Sequence, residues 1–442
     1  MPAGPAASRW RRIASGSSGG VLTILLGTGI GQLVVLAVSP VLTRLYTPDE
    51  YGVFTVFVAV VSVLGTFTLF RLDAAIPLPR SDRLAASVAW VGIAACTVMS
   101  LLIGLLAPVL GPAVADLVNS PALATVWWWV AAATFMVAID QVLLTWMVRE
   151  KRYRALGVRN ALQGIGQAAG QVGLAWTPIR SVGLLVGWII GRIAAVGGLF
   201  SRGGLLRQGV PRARTMRAAV VRYRRFPLIA SWSSLLNSLG QQAPLLVISA
   251  YYGSVTIGLL GLTVKVMAAP VVLLGQAVAR VFQGEASEAI RDRHRPLRPI
   301  LMSNVKVLAA ISVVMAIVVM VGGPWLFGVI YGAEWEQSGQ FARLLAVGYA
   351  AQLTVSPVSQ ILLILEQQTR QFLWDATRLV ITVGAPLAAA AAGASATVAV
   401  TVLSACWVVT YGALLWVCLG AATSHDRAMA YRRVAQPRGN RG

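Results

Sequence analysis

Three charged side chains stand deep inside long apolar runs of this 442-residue chain: Asp140, Arg192 and Lys265. Charge at membrane depth is costly, so where it occurs it faces a watery cavity, pairs with another charge, or does both. Lys265 lies about nine residues, roughly 13 Å, from the outer end of its run, and Arg192 stands at a similar depth. Neither reaches an interface by snorkelling, so each is a candidate for lining a cationic passage, with a structural ion pair as the other reading. Asp140 lies roughly 10 Å inside the inner end of its run. It is the candidate carboxylate for coupling to a proton or sodium ion, and equally a salt-bridge partner for a neighbouring helix.

Other polar groups extend the set. Arg44, Arg71 and Arg280 fall at the ends of apolar runs, where contact with a substrate and snorkelling to headgroups are both open. Lys306, near an inner end, is likewise ambiguous. Asp375 and Arg378, three apart, are spaced to neutralise each other on one helix. Gln163, Gln167 and Gln171 recur every four residues beside Gly164, Gly166 and Gly170, which puts three amides on one helix face. Ser234, Asn237, Ser238 and Gln241 form a second stripe, and Gln32 holds the equivalent place in the first run. Amides and hydroxyls bind sugar hydroxyls because each offers donors and acceptors; they also hold helices together. Both readings stand for the first stripe, and cavity lining is favoured for the second. The cations at mid-depth outnumber the acids. That fits an anionic substrate, such as one carrying a diphosphate, better than a cationic drug.

The elements that must carry these groups are membrane helices. Hydrophobic residues make up 57% of the chain, charged residues 12%, and mean hydropathy is +0.73, whereas soluble chains are about a quarter charged. Twelve segments of suitable length are read at 21–44, 52–72, 85–109, 122–147, 159–179, 182–201, 227–251, 256–282, 300–330, 339–365, 371–393 and 395–421. Most of the 37 Lys and Arg fall in the N-terminal arm (Arg9, Arg11, Arg12), in every second connection and in the tail from Arg427 to Arg441. The basic connections hold Arg80 and Arg83; Arg149, Lys151, Arg152 and Arg154; eight arginines from Arg202 to Arg225; and Arg291, Arg293, Arg295 and Arg298. By the positive-inside rule both termini are cytoplasmic. Trp127, Trp128 and Trp129 sit where an outer aromatic belt belongs. The run 21–43 is too long for a signal peptide and spans roughly 34 Å as a helix, so it reads as a retained first span.

Several function classes drop out. The net charge of +22 lies in cytoplasmic loops, where it sets orientation and meets anionic headgroups; nucleic acid is not an expected partner. Cys96, Cys406 and Cys418 lie inside apolar runs and read as packing residues, not as disulfides or metal ligands. No Walker motif, acidic metal cluster or large outer loop is present, which argues against a nucleotide-driven pump, a glycosyltransferase or a polysaccharide polymerase. No cofactor is expected, apart from H+ or Na+ as coupling ion, and the chain is not expected to be an enzyme. Three lysines among 37 basic residues, with much Ala and Gly, look like a GC-rich bacterial coding sequence, which places the protein in a bacterial cytoplasmic membrane.

The long basic connection divides the chain into an N-terminal lobe (1–203), the connection itself (204–225), a C-terminal lobe (226–422) and a basic tail (423–442), the tail expected to be disordered beyond Arg427. The halves are weakly repeated. Gly31-Gln32, Pro40 and Tyr51-Gly52 of the first match Gly240-Gln241, Pro244 and Tyr252-Gly253 of the second. The repeat is parallel, and transporters often bind substrate between such halves. Prolines 40, 244, 270 and 357 supply bends.

The residues that run through both halves resemble a known family. They are Leu42-Thr43-Arg44-Leu45-Tyr46-Thr47-Pro48-Asp49-Glu50-Tyr51-Gly52 and Phe70-Arg71-Leu72-Asp73-Ala74-Ala75-Ile76-Pro77-Leu78-Pro79 in the first half. In the second they are Arg225-Phe226-Pro227-Leu228, Gln241-Gln242-Ala243-Pro244, Tyr252-Gly253, Gly258-Leu259-Leu260, Ala269-Pro270, Gly275-Gln276-Ala277, Leu326-Phe327-Gly328 and Tyr331-Gly332-Ala333-Glu334-Trp335. In order and spacing the chain resembles Wzx-type flippases of lipid-linked oligosaccharides, polysaccharide biosynthesis proteins of the multidrug/oligosaccharidyl-lipid/polysaccharide (MOP, MATE-like) exporter superfamily. The resemblance implies an all-α polytopic membrane protein of about twelve transmembrane helices in two six-helix lobes. It also implies alternating access that carries an undecaprenyl-diphosphate oligosaccharide from the inner to the outer leaflet for surface polysaccharide synthesis. Membrane lipids, a polymerase and glycosyltransferases are the partners it suggests. Lys265, Arg192, Arg44 and Arg71 are chosen as substrate contacts on charge and depth, with Gln32, Asn237, Gln241 and Gln167 as polar lining. The competing readings are a cation-coupled antiporter of drugs or metabolites, which predicts an acidic cavity, and a membrane scaffold acting through the Arg202–Arg225 connection.

Overall fold

The computed structural model describes residues 18–200, 204–224, 226–292 and 295–435. The basic N-terminal arm, Arg202, Arg225, Arg293 and the last arginines of the tail lie outside the described residues. Among the described residues the chain is helix and turn, with no strand. The long helices are α1 (Ser18–Leu45), α2 (Pro48–Thr68), α3 (Asp82–Leu105), α4 (Trp127–Arg149), α5 (Tyr153–Leu174) and α6 (Gly183–Phe200). A 62-residue helix, Ser231–Asp292, follows; it breaks at Gly253 (φ 77°, ψ −178°) into α7 (231–252) and α8 (254–292). Then come α9 (Leu297–Tyr331), α10 (Glu336–Val355), α11 (Gln368–Ala391) and α12 (Ala396–Ala435). Glycine is needed at 253 because an L side chain rarely adopts that φ.

Nine helical stretches among the described residues are long and apolar enough to cross a membrane. One of them, Ser234–Ile290, covers 57 residues, enough for two crossings of a core about 30 Å thick. The α5 helix is not among the nine, because it carries Arg154, Arg159 and three glutamines. The basic connection is not a plain loop: it contains the helix Ala213–Arg222. Nor is the start of the tail disordered, since α12 continues as helix through Ala435.

The chain divides into two compact units, Met1–Gly258 and Leu259–Gly442. In the first, α5 packs against both α1 and α6, and α4 packs against α2, α3 and α6. Glycine permits the closest approaches. A Cβ on Gly164 would lie 2.7 Å from the Gly31 Cα, and Gly187 and Gly191 of α6 meet Gln171, Gln167 and Gln163 in the same way. Small residues at such crossings let backbones touch and gain packing that lipid cannot offer. Below this seam lies an apolar core including Leu69, Leu72, Ile76, Val142, Trp146, Met147, Leu199 and Tyr223.

The turn from α1 to α2 shows why its sequence is so specific. Glu50 N–H donates to Thr47 Oγ1 (3.3 Å), Thr47 N–H donates to Glu50 Oε2 (2.8 Å), and Pro48 opens the helix. This capping box satisfies two amides that would otherwise be orphaned. Buried Tyr46 donates its hydroxyl to the Gln171 carbonyl at 2.7 Å. Burial first, and then the Glu50 carboxylate, push that phenol up to about 12 against the pull of Arg180, so it stays a donor at neutral pH. Gly52 and Gly258 are each pressed against backbone, at Ser254 and Pro48 respectively, and Ser254 donates to Asp49.

In the second unit α9 packs on α10 with Gly323 against Gly339, and α12 packs on α10 and α11. Thr263 donates to the Ser338 carbonyl (2.8 Å) and Ser338 donates to the Leu259 carbonyl (2.9 Å), which stitches α8 to α10. Asp426 of α12 accepts from the amides of Leu297 (2.7 Å) and Arg298 (3.0 Å). It thereby caps the N-terminus of α9, where an anion is favoured by the helix dipole.

Candidate functional site

The densest charge at membrane depth lies in the first unit, where three helices meet. Asp140 of α4 is 2% exposed. Arg159 of α5 grips it with both sides of its fork: Nε donates to Oδ1 at 2.9 Å and Nη2 donates to Oδ2. Arg192 of α6 donates from Nη1 to the same Oδ2 at 3.1 Å. Asn160 accepts from Arg159 Nη1 at 2.6 Å. Two guanidinium cations against one carboxylate leave one net positive charge. A buried charge is tolerated only when paired and hydrogen-bonded, and the bidentate fork is the geometry arginine is built for.

The two arginines are not equivalent. Arg159 is committed, with an 11% exposed side chain and three hydrogen bonds. Arg192 is 20% exposed, gives one bond to Asp140, and its Nε has no partner among the described residues. Its guanidinium lies 4.6 Å from the Trp188 ring centroid, one helical turn back, and Phe57 meets that ring edge-on at 6.1 Å. Trp188 therefore holds Arg192 by a cation–π contact, and the partly exposed side chain is not saturated by its one bond to Asp140.

Asp140 and Arg192 are thus brought together, and Arg159, which the sequence reading passed over, joins them. A signal for it existed: Arg159 continues the Gln163, Gln167, Gln171 stripe by one step of four. Two members of the stripe lie in the helix–helix seam. Gln167 is buried, its Cβ against Gly191, and buried Gln171 donates to the Leu184 carbonyl at 3.0 Å.

The other expected contacts lie apart from this cluster. Arg44 is exposed at the end of α1, where Nη1 donates to the Pro40 carbonyl at 2.8 Å. Gln32, Asn237 and Gln241 are exposed on α1 and α7. Lys265 is half-buried on α8 in the second unit. Arg71 sits in a left-handed turn after α2 (φ 56°), with Nη1 3.9 Å from Asp73. Of the three tryptophans expected in the aromatic belt, Trp128 and Trp129 are exposed, whereas Trp127 is buried and donates to the Ile103 carbonyl at 3.0 Å. In the second unit Asp375 and Arg378 pair at 3.5 Å, as their spacing predicts, and Arg378 lies 4.9 Å from the Trp374 ring centroid. Among the described residues no group of three or more His, Cys, Asp or Glu is placed to hold a metal.

Among the described residues, a helical fold with nine stretches long and apolar enough to cross a membrane, holding a buried, net cationic cluster, describes a multi-pass membrane protein. Over residues 41–340 the chain matches the polysaccharide biosynthesis protein family, and it belongs to that family. It is similar to the succinoglycan biosynthesis transport protein ExoT of Rhizobium meliloti (strain 1021). The two are 23% identical over 365 residues, which cover 82% of this chain and 72% of the relative. Its fold is shared with the lipid II flippase MurJ in an inward closed conformation, at TM-score 0.69, 10% identity and coverage of 95% of this chain and 93% of that one. It is shared too with an inward-facing multidrug resistance MATE family transporter of the MOP superfamily. There the TM-score is 0.62 and the identity 13%, over 92% of this chain and 95% of the other. The MATE/MOP-like fold and the family expected from sequence are both borne out.

Proposed function

We propose that this protein translocates undecaprenyl-diphosphate-linked oligosaccharide units from the inner to the outer leaflet of the bacterial cytoplasmic membrane, for surface polysaccharide synthesis. The observation that carries the substrate class is the net positive charge at membrane depth in the Asp140–Arg159–Arg192 cluster. A diphosphate crossing hydrocarbon without protein would lose its hydration at a cost of several kcal/mol per unsatisfied polar group. The partly exposed Arg192 guanidinium, in contact with Trp188, would replace part of that hydration with charge-assisted bonds. We read twelve spans in two lobes, 1–203 and 226–422, that work by alternating access, with Lys265, Arg44 and Arg71 as further cationic contacts and Gln32, Asn237 and Gln241 lining the sugar path. No cofactor is needed, and a polymerase and glycosyltransferases are the expected co-workers. The antiporter reading is less well supported, because Asp140, the carboxylate it would use, is engaged by two arginines.

The test is a deletion strain scored for undecaprenyl-diphosphate oligosaccharide retained in the inner leaflet. It would be complemented with wild type, Arg192→Gln and Lys265→Ala at equal membrane levels. We expect accumulation that wild type clears and Arg192→Gln does not. A deletion strain without accumulation would sink the flippase reading, and clearance by both variants would remove the cationic site from it.

A further inference from the structure

An apolar cleft opens near the cytoplasmic end of the first unit, between α3, α4 and α6. It encloses about 60 Å³, room for roughly four to six methylene-sized groups. Trp90 and Ile93 of α3, Leu143 of α4, Leu199 and Phe200 of α6 and Leu205 beyond α6 line it. Its floor is closed, since Leu143, Leu199 and Leu205 are buried, whereas Phe200 at the mouth is exposed.

The helix that carries Trp90 shows what the cleft faces. Arg83, Trp90, Ala94, Leu101 and Leu105 recur at steps of seven and four, so they share one side of α3. Trp90 is partly exposed and the other four are exposed. An apolar, exposed side on a helix that crosses a membrane is a side turned to lipid. Arg83 stands two turns before Trp90, roughly 10 Å nearer the cytoplasm, which leaves the length of a glycerol unit between the cation and the cleft.

A second element adds charge on the same rim. The helix Ala213–Arg222 packs on α3, and Ala219 and Tyr223 are buried in one core with Leu199 and Leu205. Arg214, Arg217, Val221 and Arg224 follow at steps of three, four and three on the side away from Ala219, and all four are exposed. No acid occurs from Arg202 to Arg225. Among the described residues Arg83, Arg214 and Arg217 enter no ion pair, and the nearby acids are engaged, Asp82 by Arg149 and Glu150 by Arg152. The indole N–H of Trp90 is buried with no acceptor among the described residues, although a buried tryptophan ordinarily has one.

We propose that this cleft binds one anionic phospholipid of the inner leaflet. An acyl chain lies against Trp90, Phe200 and Leu205, an ester carbonyl supplies the acceptor that Trp90 lacks, and the phosphate meets Arg83 and Arg217. A basic rim above an apolar pocket between membrane helices selects anionic headgroups, whereas loop charge that only orients the chain needs no pocket. The lipid ties the connection between the two halves to α3, and the site is independent of what the protein transports.

The experiment uses the full chain in detergent, stripped of lipid. Phosphatidylglycerol and phosphatidylethanolamine with identical chains are added at equal concentration, and bound copies are counted by native mass spectrometry. Wild type is expected to retain one phosphatidylglycerol in preference to phosphatidylethanolamine. Each headgroup arginine is worth about fivefold in affinity, so Arg83→Gln combined with Arg217→Gln should lower that preference by about tenfold or more. Ile93→Trp fills the cleft from its rim and should abolish the retained copy. Equal retention of the two lipids by wild type overturns the proposal, as does an unchanged preference in the double variant or an unchanged copy in Ile93→Trp. The double variant alters only exposed positions and keeps the test decisive should Ile93→Trp fail to fold. Release of the bound phosphatidylglycerol by farnesyl diphosphate would assign the cleft to a polyprenyl tail and overturn the phospholipid assignment.

Discussion

Each compact unit holds an arginine in cation–π contact with a tryptophan one turn earlier: Arg192 with Trp188 in the first, Arg378 with Trp374 in the second. The acid that completes each pair comes from a different distance. Asp375 is local, three residues before Arg378, and 24% exposed. Asp140 comes from another helix, is 2% exposed and must balance two arginines. The local pair neutralises itself within one helix, and Arg378 reaches the next helix only through Tyr411. The distant one ties α4, α5 and α6 together and leaves a positive charge over. Equal side chains thus make a structural pair in one unit and a candidate anion site in the other, and the stoichiometry decides which.

The sharpest test of that difference removes each acid in turn. Asp140→Asn strands two guanidinium groups in a buried setting and should cost about 3–5 kcal/mol, seen as a large fall in thermal stability in detergent micelles together with loss of transport. Asp375→Asn takes one partner from a single buried guanidinium that also hydrogen-bonds Tyr411, and should cost about 1–2 kcal/mol. Comparable losses from the two substitutions would show that the clusters do the same job and would break the comparison.

The same contrast explains what could be read from sequence. The Asp375–Arg378 pair was legible because its geometry is set by helix periodicity, and the capping box at Thr47–Glu50 lay in plain view inside a motif. The glycine–glutamine stripe of α5 was visible as a face, but its packing role depended on Gly187 and Gly191 of another helix. Arg159 stood on that same face and was passed over as the end of an apolar run; the helix begins at Tyr153, six residues earlier. Asp73 carried no signal of its burial, since the turn at Phe70 and Arg71 breaks the periodicity that would have placed it. Charge patterning and hydropathy supplied the fold class, because a bilayer constrains helix length and loop charge strongly. Side-chain partners across helices follow from packing angles, which no period in one segment encodes.

A finer test separates the two arginine–tryptophan contacts. Trp374 does more than face a cation: its Nε1 donates to the Thr410 carbonyl at 2.8 Å and its ring meets Tyr411 at 5.6 Å. Trp374→Phe keeps an aromatic face but leaves the Thr410 carbonyl without that donor, which should cost about 1–2 kcal/mol. Trp188→Phe keeps the aromatic face under Arg192 and the edge of Phe57, so it loses only the stronger cation–π attraction of an indole, about 0.5 kcal/mol. Stability should therefore fall little in Trp188→Phe, while farnesyl diphosphate binding weakens by roughly twofold as Arg192 is held less firmly. Trp374→Phe should show the reverse, a larger fall in stability with unchanged binding. If both variants lose stability without touching binding, Trp188 is packing like its counterpart, and the site in the first unit reduces to Arg192 alone.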